Sequence, residues 1–407
     1  ITKGGSGLED LVGYGLGVCL ALLAILVRPF LKVFFCYLDV KQIGHISGIY
    51  HYWGQISERQ KLAPGRCIVL FEADSPVANS AFLALMTRSF SIKASVRGAH
   101  RARNFFLKLG LSRFVILPEA HKSFRPETYW ALDPPSGFLS NQSLQGLPKP
   151  ENLSCDLTQK DFVCLHVRDG AYKRQHFGAH IPYHGGLRVE EEDHRNCPSD
   201  TLTPLLTMLD RRNMLAVNMG KVSVTRFPSS LTNLVSYAGS TMWSETADLW
   251  LASNCRLWVS LSPSGLQELP AAFGKTTLIC NVFPYYAMNL ARASFIYLPR
   301  PVFDLESGAE MSLLQVMSRA GFHGLSTTTS LMQFQLRLGA NHPKDIVAAF
   351  DEAESSSLGT LNLGKDEKKR QERIFQALFG HSAALTNLQG LISPAFLDRN
   401  PNWSAGI

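Results

Sequence analysis

The chain has 407 residues, 45% of them apolar and 18% charged, a composition that fills buried cores and excludes a wholly disordered polypeptide. Its formal net charge of +7 favours anionic partners such as a phosphate-bearing ligand or acidic lipid. It has no long Lys/Arg run and no aromatic RNA-binding signature, so nucleic acid is not an expected partner.

The first predicted element is apolar. Residues 11–27, LVGYGLGVCLALLAILV, carry no charge. As a helix they rise about 26 Å, slightly short of a ~30 Å hydrocarbon core. Glu9 and Asp10 precede them, and Arg28, Lys32 and Lys41 follow. If the helix spans, its basic flank stays cytoplasmic and the rest of the chain is cytosolic. It can also lie in the interface with its cations snorkelling, or be a buried core helix or a signal-like segment. The expectation carried forward is a membrane-associated hydrophobic helix within residues 1–36.

Short strands and helices then alternate. FFCYLDVKQIGHISG reads as a strand ending in a Gly-flanked loop, and GRCIVLFEAD as a second strand. A helix is predicted from Val77 to Phe90, behind the capping residues Asp74 and Ser75. SIKASVR and SRFVILP are strand-like, with a helix over 101–109 between them. Residues 119–158, rich in Pro, Ser, Asn and Gly, read as linker or long loops. The pattern restarts at Phe162 and continues through a helix at 202–211, the strand MLAVNMG and a short helix at 248–254. CRLWVSLSPSGL then runs from strand into a turn, followed by a helix at 266–273 and the strand TTLICNVFP. Two helices, 343–355 and 365–379, end the chain. This alternation implies parallel α/β sheets: two Rossmann-like domains facing a cleft, over 37–155 and 156–330, with a helical tail over 331–407. Ligands in such sheets bind at the carboxyl ends of strands.

Eight cysteines include no Cys-x-x-Cys pair, and several lie in apolar runs, so they read as reduced core residues of a cytosolic chain. Five stretches carry candidate chemistry. In FVCLHVRDGAYK, Arg168 and Asp169 follow an apolar strand; an unpaired buried guanidinium is costly, so Arg168 either faces a ligand or pairs with Asp169 or a glutamate. In SLSPSGLQELP, Ser262, Ser264 and Gly265 form either an anion-binding turn or a plain helix cap. His45 in IGHISG is a candidate general base or a structural histidine. The His-rich stretch 176–195, broken by Gly and Pro, reads as a mobile loop over the cleft, with Asp193 and Arg195 as acceptor contacts, rather than as a metal site. RGAHRARN (97–104) faces either an anionic lipid or solvent. No Asp-x-Asp pair or Walker A loop is present, so no metal and no cofactor are expected.

With these residues assembled, the chain resembles a bacterial family of glycosyltransferases associated with surface-polysaccharide genes. The matching pieces are IGHISG, VCLHVRDGAYK, DHRNCPSDTLTPLL, DLWLASNCRLWVSLSPSGLQELPAAFGKT, CNVFP and FIYLPRPVF, across roughly residues 40–360. More distantly, HVRDG with DLWLASNCRLWVSLSPSG is similar to the donor site of α1,6- and protein O-fucosyltransferases, whose fold is GT-B. That resemblance implies donor-nucleotide contacts from His166 and Arg168, the arginine at the diphosphate. It also implies a base contact from Asp248 and phosphate contacts from Ser262, Ser264 and Gly265. Asp169 stands where the fucosyltransferases often carry a second arginine, so a GDP-fucose donor does not follow. The expectation is a metal-independent GT-B glycosyltransferase on the cytoplasmic face of the inner membrane. It would move a sugar from a nucleotide-diphosphate sugar to a cell-surface glycan or lipid-linked acceptor. His45 or Asp169 would remove the acceptor proton if the reaction inverts. The alternatives are a catalytically inactive GT-B-like sugar-nucleotide-binding or scaffold protein, and a metal-dependent hydrolase built on the His-rich stretch.

Overall fold

The structure, a computed structural model, describes residues 156–407 apart from 182–186, 289–293, 322–326 and 381–388. Within the first 155 it describes residues 15, 19, 33–38, 46–51, 66–72, 77–86, 92–96, 108, 115–116, 137 and 139. Contacts divide the chain into two compact units. One comprises Ile1–Arg125, Leu132–Pro134 and Pro182–His184; the other comprises Pro126–Ala131, Pro135–Ile181 and Gly185–Ile407.

The first unit holds a parallel sheet of β1 (Val33–Leu38), β2 (Arg66–Glu72), β3 (Ile92–Val96) and β4 (Val115–Ile116), in the order β3-β2-β1-β4. Its strands are the β-branched and aromatic runs that the sequence singled out. The helix Ser80–Met86 buries Phe82, Leu85 and Met86, and the Asn79 side chain caps it by accepting from Phe82 N at 2.7 Å. Residues 46–51 are helical and bury Gly48, Ile49 and Tyr50, so IGHISG does not continue as the expected Gly-flanked loop. Of the hydrophobic segment, Gly15 and Cys19 alone are described, both helical, and the rest of it lies outside the described residues. Among the described residues no helix is long and apolar enough to cross a membrane.

The second unit is built on seven strands: β5 (Phe162–His166), β8 (Leu215–Met219), β9 (Leu234–Val235), β10 (Leu257–Ser260), β11 (Thr277–Val282), β12 (Phe295–Pro299) and β15 (Leu391–Ile392). The remaining short strands form two antiparallel pairs, β6 (His180–Ile181) with β7 (Leu187–Arg188) and β13 (Val302–Asp304) with β14 (Leu336–Leu338). The large sheet is parallel throughout, in the order β15-β12-β11-β10-β5-β8-β9. Residues of β8, β10, β11 and β12 are buried along their whole length, as strands covered on both faces require. The helix Thr203–Arg211 turns Leu205, Leu206 and Leu209 inward, and Pro343–Ser357 lies across β10, β11 and β12. Residues 331–407, read as a separate tail, belong to this unit and supply its edge strand β15.

From β5 the chain proceeds to β8 and β9 on one side, then crosses to β10, β11 and β12 on the other. The winding therefore reverses between β5 and β10. In a doubly wound sheet such a reversal opens a crevice at the carboxyl ends of the two strands.

Candidate functional site

β5 and β10 run side by side, with His166 opposite Ser260, and Leu261 N donates to His166 O at 2.9 Å. Val167, Arg168 and Asp169 leave β5 at that end, while Leu261, Ser262, Pro263 and Ser264 leave β10. Gly170, at φ 71, turns the chain from the strand into the helix Ala171–Phe177, a conformation that suits glycine.

Arg168 is 9% exposed and its guanidinium pairs with Glu192, itself 3% exposed. This is the pairing with a glutamate that the sequence left open beside a ligand contact. Burying both charges is tolerable because each neutralises the other. Lys173, from the Ala171–Phe177 helix, reaches the same Glu192 oxygen, and Arg195 Nη1 lies 3.7 Å from the other. Arg195 Nη2 also donates to Pro263 O at 2.7 Å, tying this cluster to the turn after β10. Three cations from three short segments thus meet on one carboxylate beside the β5/β10 reversal.

Glu192 and Arg195 belong to a 3₁₀ helix, Val189–Arg195, that follows β7. This is the stretch read as a mobile loop, and the structure pins it at several points. Arg300, 7% exposed at the end of β12, donates to the carbonyls of His194 and Asn196 and to Gly339 O. Glu191 accepts from Thr329 N at 2.9 Å and from Thr329 Oγ1 at 2.5 Å. Asp193, named as an acceptor contact, is largely solvent-facing and accepts from Arg174 and Asn196.

Asp169 is corrected as a general-base candidate. Its Oδ1 accepts from Ala171 N, and its Oδ2 from Ser223 Oγ, Val224 N, Thr225 N and Thr225 Oγ1, at 2.7–3.1 Å. Although burial opposes its charge, these bonds hold the carboxyl below its usual value. A carboxylate engaged this way anchors the 223–225 loop and is a poor proton acceptor. Asp248, which the resemblance places at the donor's base, is buried. It is 4% exposed and accepts from Tyr237 OH at 3.0 Å inside the unit, and burial raises its carboxyl to about 7. Ser264 spends its hydroxyl on Leu266 N at 3.3 Å, in a capping box completed by Gln267; Gly265 opens that short 3₁₀ turn. Ser264 thus acts as the helix cap that the sequence offered as one of its two readings.

Ser262 differs from Ser264. It is fully buried, and its Oγ has no hydrogen-bond partner among the described residues. The same holds for His166 Nδ1, Tyr172 OH, His194 Nε2, Arg195 Nε and Asn196 Oδ1. Buried polar atoms ordinarily find partners, so a concentration of orphans marks a place built for something else. Burial and the neighbouring Arg168 lower His166 to about 4, and burial and Arg195 do the same for His194, so both imidazoles are neutral. Neutral His166 can offer its Nδ1 to a ligand, whereas His194 donates Nδ1–H to Glu191 O at 3.0 Å and leaves Nε2 as an acceptor.

Sequence reasoning missed Lys173, Glu192, His194 and Arg300 as members of this cluster. Arg300 had the signal that exposed Arg168, a cation at the carboxyl end of an apolar strand. Glu192 was hidden in the run Glu190–Asp193, where nothing in the sequence sets it apart from its neighbouring acids. His45 and the 97–104 cluster lie outside the described residues. Among the described residues no three His, Cys, Asp or Glu side chains gather as metal ligands.

No protein-family model matches the chain, and no curated protein matches it. Among solved structures, the Escherichia coli ADP-heptose lipopolysaccharide heptosyltransferase II is similar at 12% identity and TM-score 0.39, over 79% of this chain and 98% of that one. The E. coli heptosyltransferase WaaC, with ADP-2-deoxy-2-fluoro heptose, is similar at 12% identity and TM-score 0.31, over 74% and 98%. The iron-containing dodecameric glycosyltransferase TibC of enterotoxigenic E. coli is similar at 10% identity and TM-score 0.36, over 66% and 62%. Likeness at these TM-scores carries no site residue across to this chain.

Proposed function

We propose that the second unit binds the diphosphate of a nucleotide-diphosphate sugar, and that the chain is a metal-independent glycosyltransferase acting on a cell-surface glycan or lipid-linked acceptor. The observation that carries the binding half is the junction of β5 and β10. There the winding reverses, Arg168 and Ser262 leave adjacent strands, and His166 Nδ1 and Ser262 Oγ are buried with no partner among the described residues. A diphosphate suits this chemistry. It accepts from guanidinium, ammonium, hydroxyl and imidazole N–H donors at once, and charge-assisted bonds are the stronger kind. The transfer half is supported by the motifs HVRDGAYK and SLSPSG, through the resemblance they carry.

In this reading Arg168, Lys173 and Arg195 stabilise the negative charge that develops on the leaving diphosphate, the task a metal performs in other transferases. His166 and Ser262 orient the phosphates. His45 remains the proposed acceptor base, since Asp169 is committed to its loop. The charge-free segment 11–27 would hold the chain at the cytoplasmic membrane face, near a lipid-linked acceptor.

Isothermal titration of ADP, GDP and UDP into wild type and Arg168→Ala tests the core of this proposal. The variant should keep its fold and bind its preferred nucleotide about 10- to 100-fold more weakly, the worth of one charge-assisted contact. Equal affinity would remove Arg168 from the site. A sugar-nucleotide-binding scaffold is the second reading, favoured by the Arg168–Glu192 pairing; release of nucleoside diphosphate from the bound donor separates the two.

A further inference from the structure

We infer that Glu192 is the resting occupant of the diphosphate site: an internal carboxylate that the ligand's phosphates displace from Arg168, Lys173 and Arg195. The inference rests on the binding half of the proposed function and goes past it, because it assigns Glu192 the role of a built-in competitor.

Three observations support it. First, cations from three separate segments converge on this one buried acid: the end of β5, the Ala171–Phe177 helix, and the 3₁₀ helix itself. An acid needed only to neutralise Arg168 requires one partner. Second, the backbone around Glu192 does not depend on its carboxylate. Arg300 holds the carbonyls of His194 and Asn196, Thr328 Oγ1 donates to Glu190 O at 3.1 Å and to Glu191 O at 3.2 Å, and the Glu191 side chain binds Thr329. Glu192 can therefore release its cations by rotating its side chain while the segment stays docked. Third, polar atoms beside the cluster remain that Glu192 does not use. The partnerless Ser262 Oγ and Arg195 Nε are the additional donors that a carboxylate leaves unused and a diphosphate would take.

Replacing one carboxylate charge by the two or three of a diphosphate satisfies more of these donors. The competitor weakens binding of every anion, and a monovalent anion has little to offer in exchange. The site would thereby favour doubly charged phosphates over the chloride and carboxylates of its surroundings.

The test is titration of inorganic pyrophosphate, without divalent metal, into the full chain as wild type, Glu192→Gln and Glu192→Asp, with unfolding temperatures measured in parallel. Glu192→Gln should lower the unfolding temperature of the free protein, because it strips the cations of their partner. It should bind pyrophosphate at least about tenfold more tightly than wild type. Glu192→Asp, shorter by one methylene and still charged, should tighten binding by a smaller factor, and it decides the matter if the Gln variant does not fold. Affinity equal to or weaker than wild type in a folded variant overturns the inference. Failure of the underlying reading looks different: Arg168→Ala would then bind nucleoside diphosphates as well as wild type does. Loss of binding in Arg168→Ala with no gain in the Glu192 variants sinks only the displacement.

Discussion

The two ends of the large sheet handle buried charge in opposite ways. At the amino ends of β5, β8 and β10, a cavity of about 430 Å³ is lined by Lys160, Asp161, Arg212, Arg256 and Glu354 among others. There Arg256 pairs with Asp161 at 2.7 Å and Glu354 at 2.9 Å, and Arg212 with Asp351 at 2.8 Å and Glu354 at 2.9 Å. Two cations are spread over three carboxylates, and most of these side chains meet solvent. At the carboxyl ends three cations meet on one buried carboxylate, beside polar atoms with no partner. The first arrangement is a partly solvated network that leaves one donor, Arg256 Nε, over, while the second leaves several polar atoms over, among them Ser262 Oγ, His166 Nδ1 and Arg195 Nε. Among the described residues, more unpartnered buried polar atoms lie at the end where the winding reverses.

Substituting one arginine at each end breaks or upholds this contrast, and it carries the largest expected effect. Arg168→Ala should lose nucleoside-diphosphate affinity about 10- to 100-fold, as above. Arg256→Ala should leave that affinity unchanged and cost about 1 kcal/mol of stability or less, because a partly exposed ion pair is worth little. Parallel titrations in which Arg256→Ala weakens nucleotide binding as much as Arg168→Ala would move the site to the other end.

Asp169 sharpens the comparison within the carboxyl end. Asp169→Ala removes the acceptor for two hydroxyls and three backbone N–H groups. It should lower stability by about 2–3 kcal/mol and expose the 223–225 backbone to faster hydrogen exchange. Asp169→Asn, isosteric and able to keep part of the bonding, should recover much of that loss together with any activity. Activity abolished in a fully stable Asp169→Asn would return Asp169 to the chemistry.

Most strands of both sheets were legible because apolar, β-branched runs bounded by polar residues have few other uses, but β9, β12 and β15 were not read as strands. Arg168 stood out for the same reason, as a cation interrupting such a run. What a sequence does not display is where a side chain's partner comes from. Arg168 meets Glu192 across 24 residues, and Asp169 reaches Ser223 across 54. Neither pairing follows a helical or strand period. The helix cap at Ser264 was legible as a motif, but whether its hydroxyl served the backbone or a phosphate depended on Gln267 folding back. The Gly- and Pro-broken stretch 176–195 read as mobile because nothing local stabilises it; its anchors, Arg300, Thr328 and Thr329, lie more than a hundred residues away.

Two acids of almost equal burial yield the smallest and most specific prediction. Glu192 is 3% exposed and gathers three cations, whereas Asp248 is 4% exposed and accepts from the hydroxyl of Tyr237. Burial therefore raises Asp248 from the ordinary 3.8 to about 7. A carboxyl whose folded value exceeds its unfolded one holds its proton more tightly in the native state. Its favourable contribution is full below about pH 4 and is lost as pH rises through about 7, where the buried group must ionise. Asp248→Asn cannot ionise and keeps an acceptor for Tyr237. Relative to wild type it should gain stability as pH rises, about 3–4 kcal/mol by pH 8, and show no such gain at pH 4. Unfolding curves at pH 4, 6 and 8 measure this difference. A gap that stays constant across the series would mean that Asp248 is already ionised in the native protein, with the nearby Lys221 favouring its charge.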